Sequence, residues 1–259
     1  TTEYKGLAYN GAGVFVAVGP SGSAWSTDGE TWTAETPFLG LNMNDVEHYG
    51  GTWIAVGNVN QCFYTTDYTA ATWTACATSG FGANAINTTV ASPAGMWLVA
   101  GNTARVNQTT DGGLTMLSPV EDYGSGGWFD SIWNGSQFVL IGRDNMVHSG
   151  LDATSLVVES PYQSTRLWSG ALIDGNAIAF DGTTYVAGSQ NGHIAHTTSL
   201  SANPWNKVIP TEFGSNEING IIYNAGLGMF IAVADNATLC TSTDAGASWT
   251  PSVVPLGAG

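Results

Sequence analysis

Val14-Phe15-Val16-Ala17-Val18-Gly19 decides the fold of this chain, because the pattern returns five more times. The copies are Thr52-Trp53-Ile54-Ala55-Val56-Gly57, Met96-Trp97-Leu98-Val99-Ala100-Gly101, Gln137-Phe138-Val139-Leu140-Ile141-Gly142, Thr184-Tyr185-Val186-Ala187-Gly188 and Met229-Phe230-Ile231-Ala232-Val233-Ala234. Anchored on Phe15, Trp53, Trp97, Phe138, Tyr185 and Phe230, the spacings are 38, 44, 41, 47 and 45 residues, a mean of 43. Six such units account for the 259 residues, leaving no room for a linker or a second domain. Self-similarity at a fixed period of this length marks a repeat architecture.

A second signal keeps phase with the first. Asp67, Asp111, Asp152, Ser199 and Asp244 each stand fourteen residues after an anchor, and Asp28 stands thirteen after the first. A hydroxyl residue precedes most of them by two positions: Ser26, Thr65, Thr109, Thr197, Ser242. A tryptophan often follows, as Trp32, Trp73, Trp205 and Trp249, with Met116 in the third unit. Within each unit four short segments are separated by turn residues such as Asn10-Gly11, Asn134-Gly135 and Asp181-Gly182. In the last unit the segments are Ile218–Tyr223, Met229–Val233, Thr238–Thr243 and Ser248–Val253. The second segments are almost unbroken apolar runs, which is how a strand buried on both faces reads. Four strands per 43-residue unit, six times over, predict an all-β fold: a six-bladed β-propeller of four-stranded antiparallel blades. The blades run about 1–40, 41–82, 83–126, 127–170, 171–215 and 216–259. A pair of β-sandwiches has no reason to repeat at a fixed period.

Composition narrows the function. Five Lys and Arg against 20 Asp and Glu give a net charge of −15. So little positive charge cannot neutralise a phosphate backbone, so nucleic acid is excluded as a partner, and anionic membrane surfaces are disfavoured for the same reason. The longest apolar runs are about six residues, against the roughly 20 of a spanning helix, so no membrane insertion is expected. Thr1–Lys5 has neither the basic nor the apolar stretch of a secretory signal.

Ser242-Thr243-Asp244-Ala245-Gly246-Ala247-Ser248-Trp249 resembles the Asp-box, or bacterial neuraminidase repeat, S-x-D-x-G-x-x-W, at every fixed position. Thr109–Met116 matches with Met for Trp; Ser26–Trp32 is one residue shorter and Thr65–Trp73 one longer. Units four and five are degenerate. The resemblance implies that Asp28, Asp67, Asp111, Asp152, Ser199 and Asp244 close the turn between the third and fourth strands, a structural role, with the tryptophan packed between blades. A carboxylate in a tight turn accepts backbone N–H groups that no strand satisfies. Asn10-Gly11 with Phe15–Gly19 and Ser26–Thr33 also looks like propeller modules of bacteriophage structural proteins.

Recognition is expected on the rim opposite those turns, where variable connections sit on a rigid scaffold. The three arginines, Arg105, Arg143 and Arg166, all map to that rim, with Tyr123, Trp128, Tyr162 and Trp168 nearby. Arginine forks suit a carboxylate or sulfate, and aromatic faces suit sugar rings, so an acidic host-surface glycan is one expected ligand. The competing reading pairs the arginines with Glu121, Asp122 or Asp144. Sialidases, which resemble the Asp-box propellers, clamp a carboxylate with three arginines. Here the arginine expected ahead of the first box is missing, since Thr1–Trp25 holds only Lys5 as a cation. Glu121, Asp122, Asp130 and Glu159 offer carboxylate pairs, as any acidic protein does. His48, His148, His193 and His196 form no metal-ligand pattern, and no cofactor is expected. Cys62 and Cys76 flank one turn symmetrically and either pair or stay as buried thiols; Cys240 stands alone.

The reading is therefore a non-enzymatic bacteriophage virion protein, a propeller displayed on tail or capsid. Its expected partners are other virion proteins and a host glycan, and its expected location is the virion surface. The alternative is a secreted, extracellular bacterial lectin or Asp-box glycosidase.

Overall fold

A computed structural model of the chain describes residues 3–20, 22–38, 40–69, 73–77, 80–117, 126–158, 174–201 and 205–252. It is an all-β, six-bladed propeller in which each blade is an antiparallel meander. Five sheets have four strands; the third has three among the described residues. There Leu117 N–H donates to Gln108 O, continuing the ladder where a fourth strand would run. The last blade is Ile218–Asn224, Met229–Ala234, Thr238–Ser242 and Thr250–Pro251, close to the segments read from its sequence. Among the described residues helix is limited to a three-residue 3-10 turn at Arg143–Asn145. The chain falls into two compact units, one of Thr1–Phe138 with Gly150–Leu156 and one of Val139–Ser149 with Val157–Gly259.

The repeated apolar segment becomes the second strand of every blade; in the first five blades it is buried on both faces, while in the last Val233 is exposed. Trp97–Gly101 and Phe138–Gly142 are buried at every position. The reason is that a propeller strand packs against the preceding blade with one face and the following blade with the other. In the first unit Ala8, Val16 and Val18 of blade one meet Val46, Trp53 and Ala55 of blade two. Ile54 and Val56 of blade two meet Trp97 and Val99 of blade three. In the second unit Val186 and Ile194 of blade five meet Ile221, Phe230 and Trp249 of blade six. Each large side chain buried in this way contributes about 2–3 kcal/mol. The closing glycine of the segment is required by close approach. A Cβ on Gly19, Gly57 or Gly101 would run into the backbone carbonyl of Glu3, Asn42 or Ala85.

The Asn-Gly and Asp-Gly dipeptides form the turns between first and second strands. Asn10 Oδ1 accepts Ala12 N–H and Val14 N–H at 2.8 and 2.9 Å, and Asp181 Oδ1 accepts Thr183 N–H and Thr184 N–H at 2.7 and 2.6 Å. Gly11 and Gly182 take the left-handed backbone these turns need, with φ of 74° and 99°. Cys62 and Cys76, left open by the sequence, are joined by a disulfide across the third and fourth strands of blade two, with Cα atoms 5.4 Å apart. Cys240 is a buried free thiol.

Candidate functional site

Two rims are available in each blade. One carries the turns after the first and third strands; the other carries the turn after the second strand and the connection to the next blade.

The periodic acids sit on the first rim and are consumed by their own turns. Asp244 Oδ1 accepts the Ser242 hydroxyl at 2.8 Å and Ser248 N–H at 2.9 Å, while Oδ2 accepts the Ser248 hydroxyl at 2.6 Å. Trp249 Nε1–H then donates to Gly246 O at 3.1 Å. Asp111 repeats the arrangement with Thr109 and Thr115. Asp28 accepts Ser26, Glu30 N–H and Thr31 N–H. Asp152 accepts Thr154 N–H and Ser155 N–H, and Asp67 accepts Thr69. Ser199 has no carboxylate; Thr197 closes its turn, donating to Ser199 O and accepting Ser199 N–H, and the Ser199 and Ser201 hydroxyls share a bond at 3.3 Å. These bonds favour the charged form. The Thr115 hydroxyl and N–H, with Thr109, hold Asp111 down to about 2. Backbone N–H groups of Thr31 and Glu30 hold Asp28 well below the usual carboxylate range. For Asp244 partial burial acts upward, but the Ser248 and Ser242 bonds outweigh it and the net shift is downward.

The tryptophans that follow do not behave alike. Trp249 is 5% exposed and sits edge-on to Phe213 at 5.5 Å; Trp205 is buried too. Trp32 makes the same indole bond, to Gly29 O at 3.2 Å, yet is 39% exposed. Trp32 is therefore less buried than the packing between blades that the sequence led us to expect.

On the opposite rim the turns are tied down by amides, and in the first unit they form a collar. In blade two the turn residues Val59 and Asn60 both have left-handed backbone, φ 56° and 62°. Asn60 N–H donates to Asn84 O at 2.7 Å, and Asn60 Oδ1 accepts Phe81 N–H at 3.2 Å, tying the turn to the connection leaving its own blade. In blade three Thr103 and Ala104 take the same conformation, and Ala104 N–H donates to Gly126 O at 2.7 Å. In blade six Asn236 Nδ2 donates to Asn216 Oδ1 at 2.9 Å. A second set of asparagines staples first strands to neighbours. Asn44 Nδ2 donates to Asn58 Oδ1 and to Ile86 O; Asn87 Nδ2 donates to Asn102 Oδ1 and to Trp128 O. Asn219 Nδ2 reaches Asp235 Oδ1 at 2.9 Å and Asn176 Nδ2 reaches Glu217 Oε1 at 2.6 Å. Sequence reading missed this ladder. Its signal was an asparagine nine to eleven residues before the aromatic anchor in four units.

The nominated ligand residues are placed as follows. Arg105 follows the blade-three turn and donates from Nη1 to Gly80 O at 2.6 Å, so part of its fork already holds the preceding connection. Arg143 is exposed in the blade-four turn. The two lie in different units, and Asp144, once paired with an arginine in expectation, uses its N–H on Asp174 Oδ1 at 3.1 Å. Trp128 is wholly buried in the first strand of blade four and presents no ring face to a ligand; its place is in the core because it opens that strand. Tyr123, Tyr162, Arg166 and Trp168 lie outside the described residues, as do Glu121, Asp122 and Glu159. Asp130 Oδ1 accepts Ser131 N–H at 2.7 Å. His148 is buried, and burial lowers it to about 4.

Two further carboxyls lie on the first strand of blade two. Burial pushes Asp45 up to about 6, despite donors from Thr89 N–H and Val46 N–H at 2.8 Å. Burial, with Asp45 nearby, pushes Glu47 up to about 7.

No protein-family profile matches the chain, and no curated protein matches it. Solved structures do. A chain of YCF48 bound to D1 peptide superposes with a TM-score of 0.72 at 16% identity, covering 96% of this chain and 82% of that one. A chain of the mitotic checkpoint complex gives 0.74 at 12%, covering 98% and 80%. The Cps50 (Swd1) β-propeller domain of Myceliophteria thermophila gives 0.70 at 11%, covering 92% and 81%. At such identity the likeness shows the fold.

Proposed function

We propose that this propeller is a non-enzymatic recognition module that contacts a protein or a glycan through the collar opposite the acidic turns. The observation that carries this reading is the construction of that collar. Its turns, taken in the first unit, hold the non-glycine residues Val59, Thr103 and Ala104 in left-handed backbone, and amide hydrogen bonds from Asn60 and Ala104 tie them to neighbouring segments. Strained, over-determined loops of this kind are kept where a surface must hold its shape for a ligand. The acids that would attract a catalytic reading act as turn fasteners. The protein-contact reading is supported by similar propellers described as bound to a peptide and as part of a complex.

The biological setting we propose is the surface of a bacteriophage virion, with other virion proteins and a host-surface glycan as partners. Its support is the repeat wording, the Asp-box resemblance of the turns and the net charge of −15, which resists non-specific adhesion. The Cys62–Cys76 disulfide supports a working life outside the reducing cytosol. It would suit a secreted lectin equally, the alternative setting.

A glycan array, run beside capture on immobilised virion proteins, tests the reading with the 259-residue chain and a Val59→Lys, Thr103→Lys double variant. Saturable binding lost in the variant at unchanged melting temperature is the expected result. Robust hydrolysis of any oligosaccharide, abolished by Asp130→Asn, would overturn it.

A further inference from the structure

Two carboxyls of the first unit are set close together where no positive charge reaches them. Asp45 and Glu47 stand two residues apart on Met43–Tyr49, the first strand of blade two, so both point to the same side of it. Asp45 acts on Glu47 through space. Burial pushes both carboxyls upward, and no cation pulls either back down. Their donors are neutral. Asp45 Oδ1 accepts Val46 N–H, Asp45 Oδ2 accepts Thr89 N–H and Glu47 Oε1 accepts His48 N–H, each at 2.8 Å. The strands packed most closely on this one are Gly6–Tyr9, Phe15–Gly19, Thr52–Gly57 and Ile86–Ala91, and none holds a charged residue. Blade one meets Asp45 through Gly6, where a Cβ would stand 2.6 Å from Asp45 Cα. Lys5, next to it in sequence, lines a groove with Leu7 and Trp32. The His48 ring lies 4.4 Å from the Trp53 ring, and burial lowers its affinity for a proton.

A third oxygen faces the same place. Thr89 is 3% exposed, and its buried hydroxyl has no hydrogen-bond partner. The ladder fixes its direction. Thr89 pairs with Val99 as Val46 pairs with Ala55, each just past a one-residue bulge in a first strand. Val46 packs on Ala8, Val16 and Val18 of the preceding blade. By the same phase Thr89 turns toward blade two, where its own N–H already holds Asp45. Beside it the Thr88 hydroxyl acts on Asp45 and shares a 2.7 Å bond with Ser131 Oγ. Buried carboxylates are neutralised by a proton, an ion pair or a metal ion. Among the described residues no three His, Cys, Asp or Glu side chains converge as a transition metal would need. Two carboxylates and a hydroxyl, completed by water, make an all-oxygen set, which suits a hard cation of flexible coordination. Two negative charges favour a divalent one over a monovalent one.

We propose that Asp45, Glu47 and Thr89 bind a divalent cation of the calcium class between the first strands of blades two and three. The site is separate from the collar and stands or falls without it. The test is thermal melting of the 259-residue chain at about pH 8, in chelator-treated buffer and with about 5 mM calcium chloride, sodium chloride keeping the ionic strength equal. Calcium should raise the melting temperature by about 5 °C and the rise should saturate, as binding to the folded state alone requires. Glu47→Gln should abolish the rise. Thr89→Val removes the hydroxyl at nearly constant shape. It should cut the rise by about half or more and leave the calcium-free melting temperature no lower, since an unsatisfied buried group is lost. Either variant suffices if the other does not fold. A melting temperature indifferent to calcium would overturn the proposal and leave protons as the neutralising species. So would a rise that both variants keep, which would put the ion on other acids of the chain.

Discussion

Asp244 acts as a double acceptor inside its own turn, and that role sets how it responds to change. Its carboxylate lies at the surface, so Asp244→Asn should lower stability by about 1 kcal/mol, at the low end for a bond to a charged group. Thermal melts of the two proteins check this, and an unchanged curve would contradict the fastening role. The acids of this chain also oppose one another in pH. Asp111, Asp152 and Asp244 have folded values below their unfolded ones, so their contribution is present above about pH 4 and is lost as pH falls. Asp45 and Glu47 have folded values raised to about 6 and about 7 by burial. The fold prefers them protonated, so their contribution is present below about pH 4 and fades as pH rises to 7. Urea denaturation should therefore show stability falling by about 1–3 kcal/mol between pH 5 and pH 8. The Asp45→Asn, Glu47→Gln double variant should be flatter across that range.

The hairpin turns show where an element carries strain. Val59 and Asn60 occupy the two central positions of a tight turn closed by Gln61 N–H on Asn58 O. Both positions require left-handed backbone, which a β-branched residue tolerates poorly. Val59→Asn should raise stability by about 0.5–1 kcal/mol, read as a higher urea midpoint. A fall would mean that the exposed Val59 side chain has a packing partner. Blade two carries a second device, the disulfide between its outer strands, fourteen residues apart in sequence. Cys76→Ser should cost about 2–3 kcal/mol, because the unfolded chain regains the freedom of that loop. The sequence left this bond undecided. Two cysteines placed symmetrically about a turn meet only if the strands pair in register, and pairing of Tyr64 with Thr74 supplies that register.

The blades share a net charge of −15 and so repel one another, against the apolar packing and the asparagine hydrogen bonds between adjacent blades. Raising sodium chloride from about 0.02 to 0.2 M should therefore raise the melting temperature by a few degrees, through screening over about 10 Å or less. Scanning calorimetry at the two salt concentrations decides the matter; a melting point independent of salt would mean that the charges lie too far apart to matter.

The amino-acid sequence by itself determined the blade count, the all-β class, the doubly buried second strands and the turn acids. It could do so because these are periodic, and a period survives in one dimension. The tertiary structure alone decided whatever depends on which segments meet. It put Trp128 in the core, turned part of Arg105 toward Gly80 O, joined Cys62 to Cys76 and strung asparagines between strands. It also buried Trp205 and Trp249 while leaving Trp32 39% exposed at the same phase of the repeat. A repeat makes every unit look equivalent in sequence, but burial and bonding depend on which segments meet, and that is decided in three dimensions.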